Sequence, residues 1–213
     1  MTALLASVLL LANALVAPEE SLGVTGSARL SAEASAEELV ASCRTMIPAD
    51  VAIKGRIILR NRRGIVQKEH AYALTRSSGA TAVLVDGEPL AAPTNAVGAS
   101  ASLLGTDVTW SDLTLDYLWW DDFSFDAERE GETVHGQVCA VVVMKKAERT
   151  VRVWIDRKTG AMMQAEEFRD GKPVRRLWGT RIKKFGERWM ANVLEVETVG
   201  SGHRTKITVE EMK

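Results

Sequence analysis

The stretch that decides the fold is Val151–Lys213, which reads VRVWIDRKTGAMMQAEEFRDGKPVRRLWGTRIKKFGERWMANVLEVETVGSGHRTKITVEEMK. Apolar and polar side chains alternate in segments of this stretch, which is typical of half-buried β-strands. The segments are Val151–Asp156, Met162–Phe168, Val174–Phe185, Trp189–Val199 and Arg204–Val209. Because a parallel pair needs a connection of about a dozen residues, the short turns between them allow only antiparallel neighbours. The stretch therefore predicts a β-meander and excludes a doubly wound nucleotide-binding fold.

Two-residue turn signals and a second alternating region extend this sheet towards the N-terminus. Asp170–Gly171 and Asp86–Gly87 each place a glycine where a tight hairpin needs a positive φ angle. Val51–Arg60 alternates and returns after a turn through Ile65–Leu74, which predicts a hairpin of long strands. In its first strand we expect a buried face of Val51, Ile53, Ile57 and Leu59, with Lys54, Arg56 and Arg60 pointing outward.

Two capping-box patterns in the sequence predict helix starts. Ser35 and Glu38 are spaced so that each side chain satisfies the other's backbone N–H. The run that follows ends at Pro48 and has helical spacing of its apolar residues Leu39, Val40, Cys43, Met46 and Ile47. Thr109–Asp112 resembles a second helix start leading into Leu113–Trp120.

Together these patterns predict a mainly β, α+β domain of about ten antiparallel strands with one or two short helices. Strands of this length twist and curl, which leaves a concave face that other elements must cover. The helix at 36–47 and the segment at 103–120 are the available covers.

Composition is that of one soluble globular domain. The 27 basic and 28 acidic residues nearly cancel, so the charge balance gives no indication of nucleic-acid binding. We expect a domain over residues 35–213, preceded by a linker over 18–34.

The N-terminal residues predict export. Ala3–Ala17 is an apolar run too short to span a bilayer, and Ala12–Ala14 has the small-x-small form of a signal-peptidase site. We expect residues 1–17 to be a signal peptide that is cleaved on export, so that the mature chain starts near Leu15 to Glu19. No Lys or Arg precedes the run, so a buried N-terminal helix or a start codon placed too late is the alternative. No cysteine ends the run, so we expect no lipid anchor.

An ordered series of short motifs resembles a known family, the LolA-like outer-membrane lipoprotein-sorting proteins, and particularly their uncharacterised bacterial branch. The series is Leu104–Asp107, Asp112–Leu113, Gly136–Cys139, Trp154–Gly160, Met163–Glu166, Asp170–Lys172, Ile182–Lys184, Arg188–Trp189 and Gly202–Thr205. The resemblance covers residues 100–213 and, more loosely, 35–75. It implies an unclosed β-barrel with helices as a lid over a hydrophobic cavity, located in the periplasm and involved in outer-membrane lipoprotein sorting.

Catalytic motifs are absent from the sequence. His70, His135 and His203 have no partner at i+4, and no HExxH, Gly-x-Ser-x-Gly or Cys-x-x-Cys pattern occurs. Asp121, Asp122 and Asp126 could bind a cation, but adjacent aspartates on a strand point to opposite faces, which favours a solvated edge. We therefore expect a non-enzymatic protein without a metal or cofactor.

Aromatic residues carry the strongest binding signal, centred on Trp119 and Trp120. On a strand these two rings would point to opposite faces, so at most one of them lines a cavity. For any single ring, an ordinary core position is favoured over a position in a cavity. As candidates for the cavity or its lid we take Leu39, Cys43, Met46, Trp110, Leu113, Trp119, Trp120, Phe123, Trp154 and Trp178.

The two cysteines, Cys43 and Cys139, leave two alternatives open. An exported chain with an even count of cysteines can form a disulfide. Both residues also lie in apolar runs, which equally describes two buried thiols.

Three functional hypotheses follow. The preferred one is a periplasmic binder or carrier of lipid or lipoprotein acyl chains that does not span the membrane. The second is an envelope module that uses the same β-scaffold to bind a protein partner or to act as a sensor, and the third is a secreted hydrolase. An apolar-lined cavity would favour the first, whereas a filled barrel with an exposed apolar patch would favour the second.

Overall fold

The computed structural model describes residues 33–213 except 79 and 187. The expected signal peptide over 1–17 and almost all of the expected linker over 18–34 lie outside the described residues. The helices are α1 (Ala36–Thr45), α2 (Ala96–Ala99) and α3 (Trp110–Thr114), with 3₁₀-helices at Asp116–Trp119 and Ala127–Arg129. The strands are β1 (Val51–Asn61), β2 (Val66–Ser77), β3 (Ala80–Val85), β4 (Glu88–Leu90), β5 (Asp122–Phe125), β6 (Thr133–Val134), β7 (Gln137–Lys146), β8 (Arg149–Asp156), β9 (Met162–Arg169), β10 (Lys172–Phe185), β11 (Arg188–Thr198) and β12 (His203–Met212).

The strands form one antiparallel sheet whose two edges do not meet. Along the sheet the order is β4-β3-β2-β1-β12-β11-β10-β9-β8-β7-β5, and β6 pairs with β7 beside this path. The predicted mainly β, unclosed antiparallel fold with short helices is therefore confirmed. The described chain has twelve strands where about ten were expected, because β4, β5 and β6 have only three, four and two residues, too few for a clear alternating pattern.

The N-terminal hairpin has the predicted facing. Val51, Ile53, Ile57 and Leu59 are buried, whereas Lys54 and Arg56 are exposed and Arg60 is half-buried. Gly55 lies on the buried face at a bulge in the pairing of β1 with β12, and a Cβ there would come within 1.7 Å of the carbonyl oxygen of Thr208. Only glycine allows the two backbones to approach so closely.

Both predicted two-residue turns have the backbone that their sequences indicate. The φ angles are 50° and 71° at Asp170 and Gly171, and 51° and 91° at Asp86 and Gly87. Two successive positive φ angles define the type I′ turn, whose twist matches that of the flanking strands.

Both predicted helix starts are present. In α1 the backbone N–H of Ser35 donates to Glu38 Oε2 at 2.7 Å, and that of Glu38 donates to Ser35 Oγ at 3.2 Å. In α3, Thr109 and Asp112 form the same reciprocal pair. The segment that follows does not continue as one helix, because Leu115 adopts a left-handed conformation with φ of 50° and separates α3 from the 3₁₀-helix Asp116–Trp119.

The main hydrophobic core lies between one face of the curved sheet and these helices. We call this face the concave face and the opposite one the convex face. A smaller cluster on the convex face contains Val134, Cys139, Val141, Trp154, Ala161 and Met163. Within the described ranges, no helix combines the length and apolar character needed to cross a bilayer.

Candidate functional site

The concave face is covered by three short helices, α1, α3 and the 3₁₀-helix Asp116–Trp119, which we call the lid. Apolar side chains of the lid pack in one buried cluster with inward-facing side chains of the sheet. The lid side, including the adjoining Leu115 and Trp120, contributes Leu39, Val40, Cys43, Trp110, Leu113, Leu115, Tyr117, Leu118 and Trp120. The sheet side includes Ile53, Ile57, Leu74, Val85, Val142, Met144, Val153, Leu194 and Ile207. The lid therefore occupies the surface that an apolar ligand would have to reach.

Ion pairs fasten one end of the lid to the sheet. Arg149 of β8 lies 3.6 Å from Asp116 and donates to Ser111 Oγ at 3.1 Å. Arg175 of β10 pairs with Asp112, and both arginines face Glu167 of β9, at 3.3 and 3.8 Å. We call these six side chains, Ser111, Asp112, Asp116, Arg149, Glu167 and Arg175, the lid network.

Asp112 both caps the start of α3 and attaches this helix to the sheet. Its Oδ2 accepts hydrogen bonds from the backbone N–H of Thr109 at 2.7 Å and from Thr109 Oγ1 at 2.9 Å, which begins α3. The same oxygen pairs with Arg175. Because the side chains of Asp112 and Arg175 are only 10% and 12% exposed, loss of one partner would leave the other charge poorly solvated.

A second attachment lies just before α3. The backbone N–H of Asp107 donates to Thr205 Oγ1 at 3.0 Å, and Thr205 Oγ1 donates to Asp107 Oδ2 at 2.9 Å. The remaining carboxylate oxygen accepts from the backbone N–H of Thr198 at 3.3 Å. Asp107 and Thr205 are both buried, so the segment leading into the lid is fixed to β11 and β12.

The cleft at the lid network is nearly filled. It is lined by residues of α3 and of β8 to β10, and its free volume is about 20 Å³. That space is close to the minimum for one water molecule. An acyl chain does not fit into this cleft while the lid is in place.

The structure separates the sequence-predicted candidates into three groups. Leu39, Cys43, Trp110, Leu113 and Trp120 are buried on the lid side of the main cluster, and Met46 and Phe123 are partly buried against the same cluster. Trp119 is 37% exposed at the end of its 3₁₀-helix, with the Arg76 guanidinium 5.9 Å from the ring centre. Trp154 and Trp178 lie on the convex face, so they do not line the face that the lid covers.

The convex-face tryptophans have their own partners. Trp154 donates from Nε1 to Glu132 Oε2 at 2.8 Å. Trp178 is paired across β10 and β11 with Glu195, and the Arg204 guanidinium lies 5.0 Å from its ring centre. Strand alternation sends both rings away from the lid, because their neighbours Val153 and Leu177 point into the main core.

The sequence analysis did not identify the charged residues of the lid network. Arg149, Glu167 and Arg175 lie in strands whose charged residues look like a solvated face. Glu166 and Glu167 are adjacent in β9, and the sequence alone does not show which of them points inward. Tyr117, which donates from its hydroxyl to Met162 Sδ at 3.7 Å, was missed as well.

The two cysteines are free thiols, which decides between the two alternatives that the sequence left open. Cys43 Sγ donates to the carbonyl oxygen of Gly160 at 2.9 Å and so joins α1 to the β8–β9 turn. Burial raises the pKa of Cys43 to about 12 and that of Cys139 to about 11. Both groups therefore stay protonated at neutral pH, where a thiol is a poor nucleophile.

Several other titratable groups are engaged in local structure. Burial raises the pKa of Tyr117 well above its ordinary value, helped by nearby Asp112 and Asp116. His70 Nδ1 lies 2.7 Å from Asp86 Oδ2, and this hydrogen bond lowers the pKa of that carboxyl.

The three aspartates considered for a cation site do not converge. Asp121 and Asp122 are exposed, and Asp126 pairs with Arg152 at 2.7 Å. No three His, Cys, Asp or Glu side chains in the described chain are placed to hold a metal ion.

Comparison with solved structures gives the class of fold. A LolA superfamily protein from Nitrosomonas europaea aligns with a TM-score of 0.64 at 11% identity, over 84% of this chain and 93% of the other. A putative outer membrane lipoprotein-sorting protein domain from Vibrio parahaemolyticus aligns with a TM-score of 0.58 at 14% identity, over 84% and 89%. A DUF1329 family protein from Desulfovibrio piger aligns with a TM-score of 0.59 at 16% identity, over 82% and 89%. The chain has the LolA-like fold, which confirms the resemblance found in its sequence.

The family assignment comes from sequence. A family model described as "Uncharacterized protein" matches residues 93–213. Because this match covers more than half of the chain, the protein belongs to that family of uncharacterized proteins. No curated protein matches the sequence.

Proposed function

We propose that this protein is a non-enzymatic binder or carrier of lipid or lipoprotein acyl chains in the periplasm, where it takes part in outer-membrane lipoprotein sorting. The observation that carries the proposal is the lid, whose short helices cover an extended apolar sheet face and are attached to the sheet by the lid network. LolA-like neighbours support it through the shared fold.

Release of the cargo gives a physical reason for such a lid. Burial of apolar surface contributes about 0.8 kcal/mol per methylene, so a chain of about sixteen carbons would gain roughly 12 kcal/mol if fully buried. A carrier with that affinity would not release its load. When the lid swings aside for the ligand, lost lid contacts offset part of the gain, and net affinity falls into a reversible range.

A disulfide that fixes the segment leading into α3 to β12 tests the proposal. The side chains of Asp107 and Thr205 are within hydrogen-bond distance, 2.9 Å between Oδ2 and Oγ1, so we place the two cysteines at Asp107→Cys and Thr205→Cys. We expect the oxidised double variant to lose uptake of a fluorescent fatty acid, and reduction to restore it. The reduced protein is the matched control because it has the same sequence.

Each outcome of this experiment is informative. Equal uptake by the oxidised and reduced forms would mean that the segment leading into α3 does not move for the ligand. No uptake by the wild-type protein would remove the acyl-carrier function. The second candidate, an envelope protein-interaction or sensor module on the same β-scaffold, would then be favoured, because the concave face is filled while Ile65, Val66 and Val199 are exposed.

A further inference from the structure

A groove lies on the convex face of the sheet, apart from the lid network. It has a volume of about 510 Å³ and is formed where the β1–β2 turn meets the β11–β12 turn. Its lining includes Arg60, Arg62, Glu195, Glu197, Arg204 and Lys206. It lies directly behind the lid attachment, because Arg204 and Lys206 flank Thr205 in β12.

The groove is cationic. Four of its lining side chains are Arg or Lys and two are Glu, so the formal charge is 4 − 2 = +2 with histidine neutral. Arg204 lies 3.2 Å from both glutamates, and Lys206 lies 3.0 Å from Glu195. These ion pairs account for both carboxylates, and the excess positive charge belongs to the two remaining arginines.

Arg60 and Arg62 are the two arginines that supply this excess. Arg60 donates from Nη1 to the carbonyl oxygen of Gly64 at 2.8 Å, and its buried Nε has no hydrogen-bond partner. The Arg62 guanidinium rests against Gly202, where a Cβ would come within 2.5 Å of Nε. Neither of them contacts a carboxylate within the described part of the chain. Both guanidinium groups are therefore held in place with donor capacity left for an anion.

Exposed apolar side chains stand at the same place. Ile65 is 55% exposed and Val199 is 48% exposed. Each is the sequence neighbour of a glycine that lines the groove, Gly64 and Gly200. Val66, at the start of β2, is 41% exposed. Two adjacent hairpin turns thus present apolar tips beside a cationic groove.

We propose that this surface docks the protein on an anionic lipid bilayer, with Arg60 and Arg62 on lipid phosphates and Ile65 and Val199 inserted between the headgroups. Cations attract a protein to anionic lipids, and shallow burial of apolar side chains adds a contribution that does not depend on charge. A free phosphate ion would use the arginines but not the apolar tips. An acidic polypeptide would use the charge of the groove but would not need the exposed apolar side chains beside it.

Flotation with vesicles tests the docking surface. We expect the wild-type chain to float with vesicles of phosphatidylcholine containing about one third phosphatidylglycerol, and not with pure phosphatidylcholine. The double variant Arg60→Gln, Arg62→Gln should partition roughly 30-fold less, because each basic residue near an anionic surface contributes about a factor of five. The double variant Ile65→Ser, Val199→Ser should partition roughly tenfold less.

A matched control is available in the same strand. Arg56 of β1 is exposed and already paired with Glu69 and Glu210, so Arg56→Gln should leave flotation unchanged. Added salt should weaken binding of the wild-type chain, a measure that needs no variant.

Three results would overturn the proposal. The first is equal flotation of the wild-type chain with neutral and anionic vesicles. The second is an equal loss of flotation in Arg56→Gln and in the Arg60→Gln, Arg62→Gln variant. The third is displacement of the protein from vesicles by polyglutamate together with no effect of the Ile65→Ser and Val199→Ser substitutions. The last result would assign the groove to an acidic protein partner. Because no free acyl ligand is present, failure of docking leaves the test of acyl uptake unaffected.

Discussion

Ile57 and Ile58 are neighbours in β1 that face opposite sides of the sheet. Ile57 is fully buried in the main core, whereas Ile58 is half-buried on the other face. Replacing Ile57 with Ala should cost about 2–5 kcal/mol, since it removes buried methyl groups and leaves a cavity. Ile58→Ala, the same chemical change, should cost about 1 kcal/mol or less. Urea unfolding measures both, and equal losses would contradict the register of β1.

The buried thiols predict a loss of stability in alkaline solution. Their pKa values of about 12 and about 11 in the folded chain exceed the ordinary value of 9.0. Folding favours the protonated thiol, so this stabilisation is complete below pH 9 and is lost as the pH rises towards the folded-state values. The free energy of unfolding should therefore fall above about pH 9.

A variant without thiols is the control for this pH dependence. Cys43→Ala with Cys139→Ala should show a smaller decline between pH 9 and 11 than the wild-type chain. Parallel curves of unfolding free energy against pH for the two proteins would show that the thiols do not contribute to the decline.

Ellman's reagent should leave both cysteines of the folded protein unmodified at pH 8 and react with both in denaturant.

Among the secondary-structure elements, α3 depends on one carboxylate for both its start and its attachment. Asp112→Asn keeps an oxygen for the capping bond but removes the charge opposite Arg175. Because that pair is largely buried, the attachment should weaken by up to about 3 kcal/mol. We expect faster hydrogen exchange over residues 110–119 and faster acyl uptake. Glu210→Gln, at an exposed ion pair, should change neither, and unchanged exchange in Asp112→Asn would show that the lid network does not hold the lid.

Sequence predicted the elements whose signals are local. The capping boxes at Ser35 and Thr109, the turns at Asp86 and Asp170, and the facing of β1 each depend on residues a few positions apart. The left-handed conformation of Leu115 has no such signal, because any leucine avoids it unless the surrounding structure imposes it.

For the candidate site, the sequence predicted apolar residues only, because burial has a local signal whereas an ion pair between distant strands has none. Leu39, Trp110 and Leu113 follow helical periodicity, which indicates burial but not what covers them. The lid network joins Asp112 to Arg175, which is 63 positions away. Whether such a charge points into the lid or into solvent depends on strand pairing. For the same reason, the sequence does not show that Trp154 and Trp178 lie on the convex face.

For the whole molecule, export is the first expectation. Cleavage after the Ala12–Ala14 site would leave a mature N-terminus between Leu15 and Glu19. N-terminal sequencing of protein purified from the cell envelope measures this directly. A chain recovered uncleaved from the cytosol would contradict both the export and the periplasmic carrier.

The position of β12 has a consequence for the order of folding. This strand lies between β1 and β11, so it alone joins the N-terminal hairpins to the meander of β7 to β11 in the sheet. Its pairing with β1 connects residues about 150 positions apart, for example Arg56 with Thr208, and such long-range contacts form slowly. A chain lacking residues 203–212 should therefore collapse without its cooperative unfolding transition. Until β12 pairs, the polypeptide has two further unsatisfied sheet edges, at β1 and β11, and such edges expose a folding chain to aggregation.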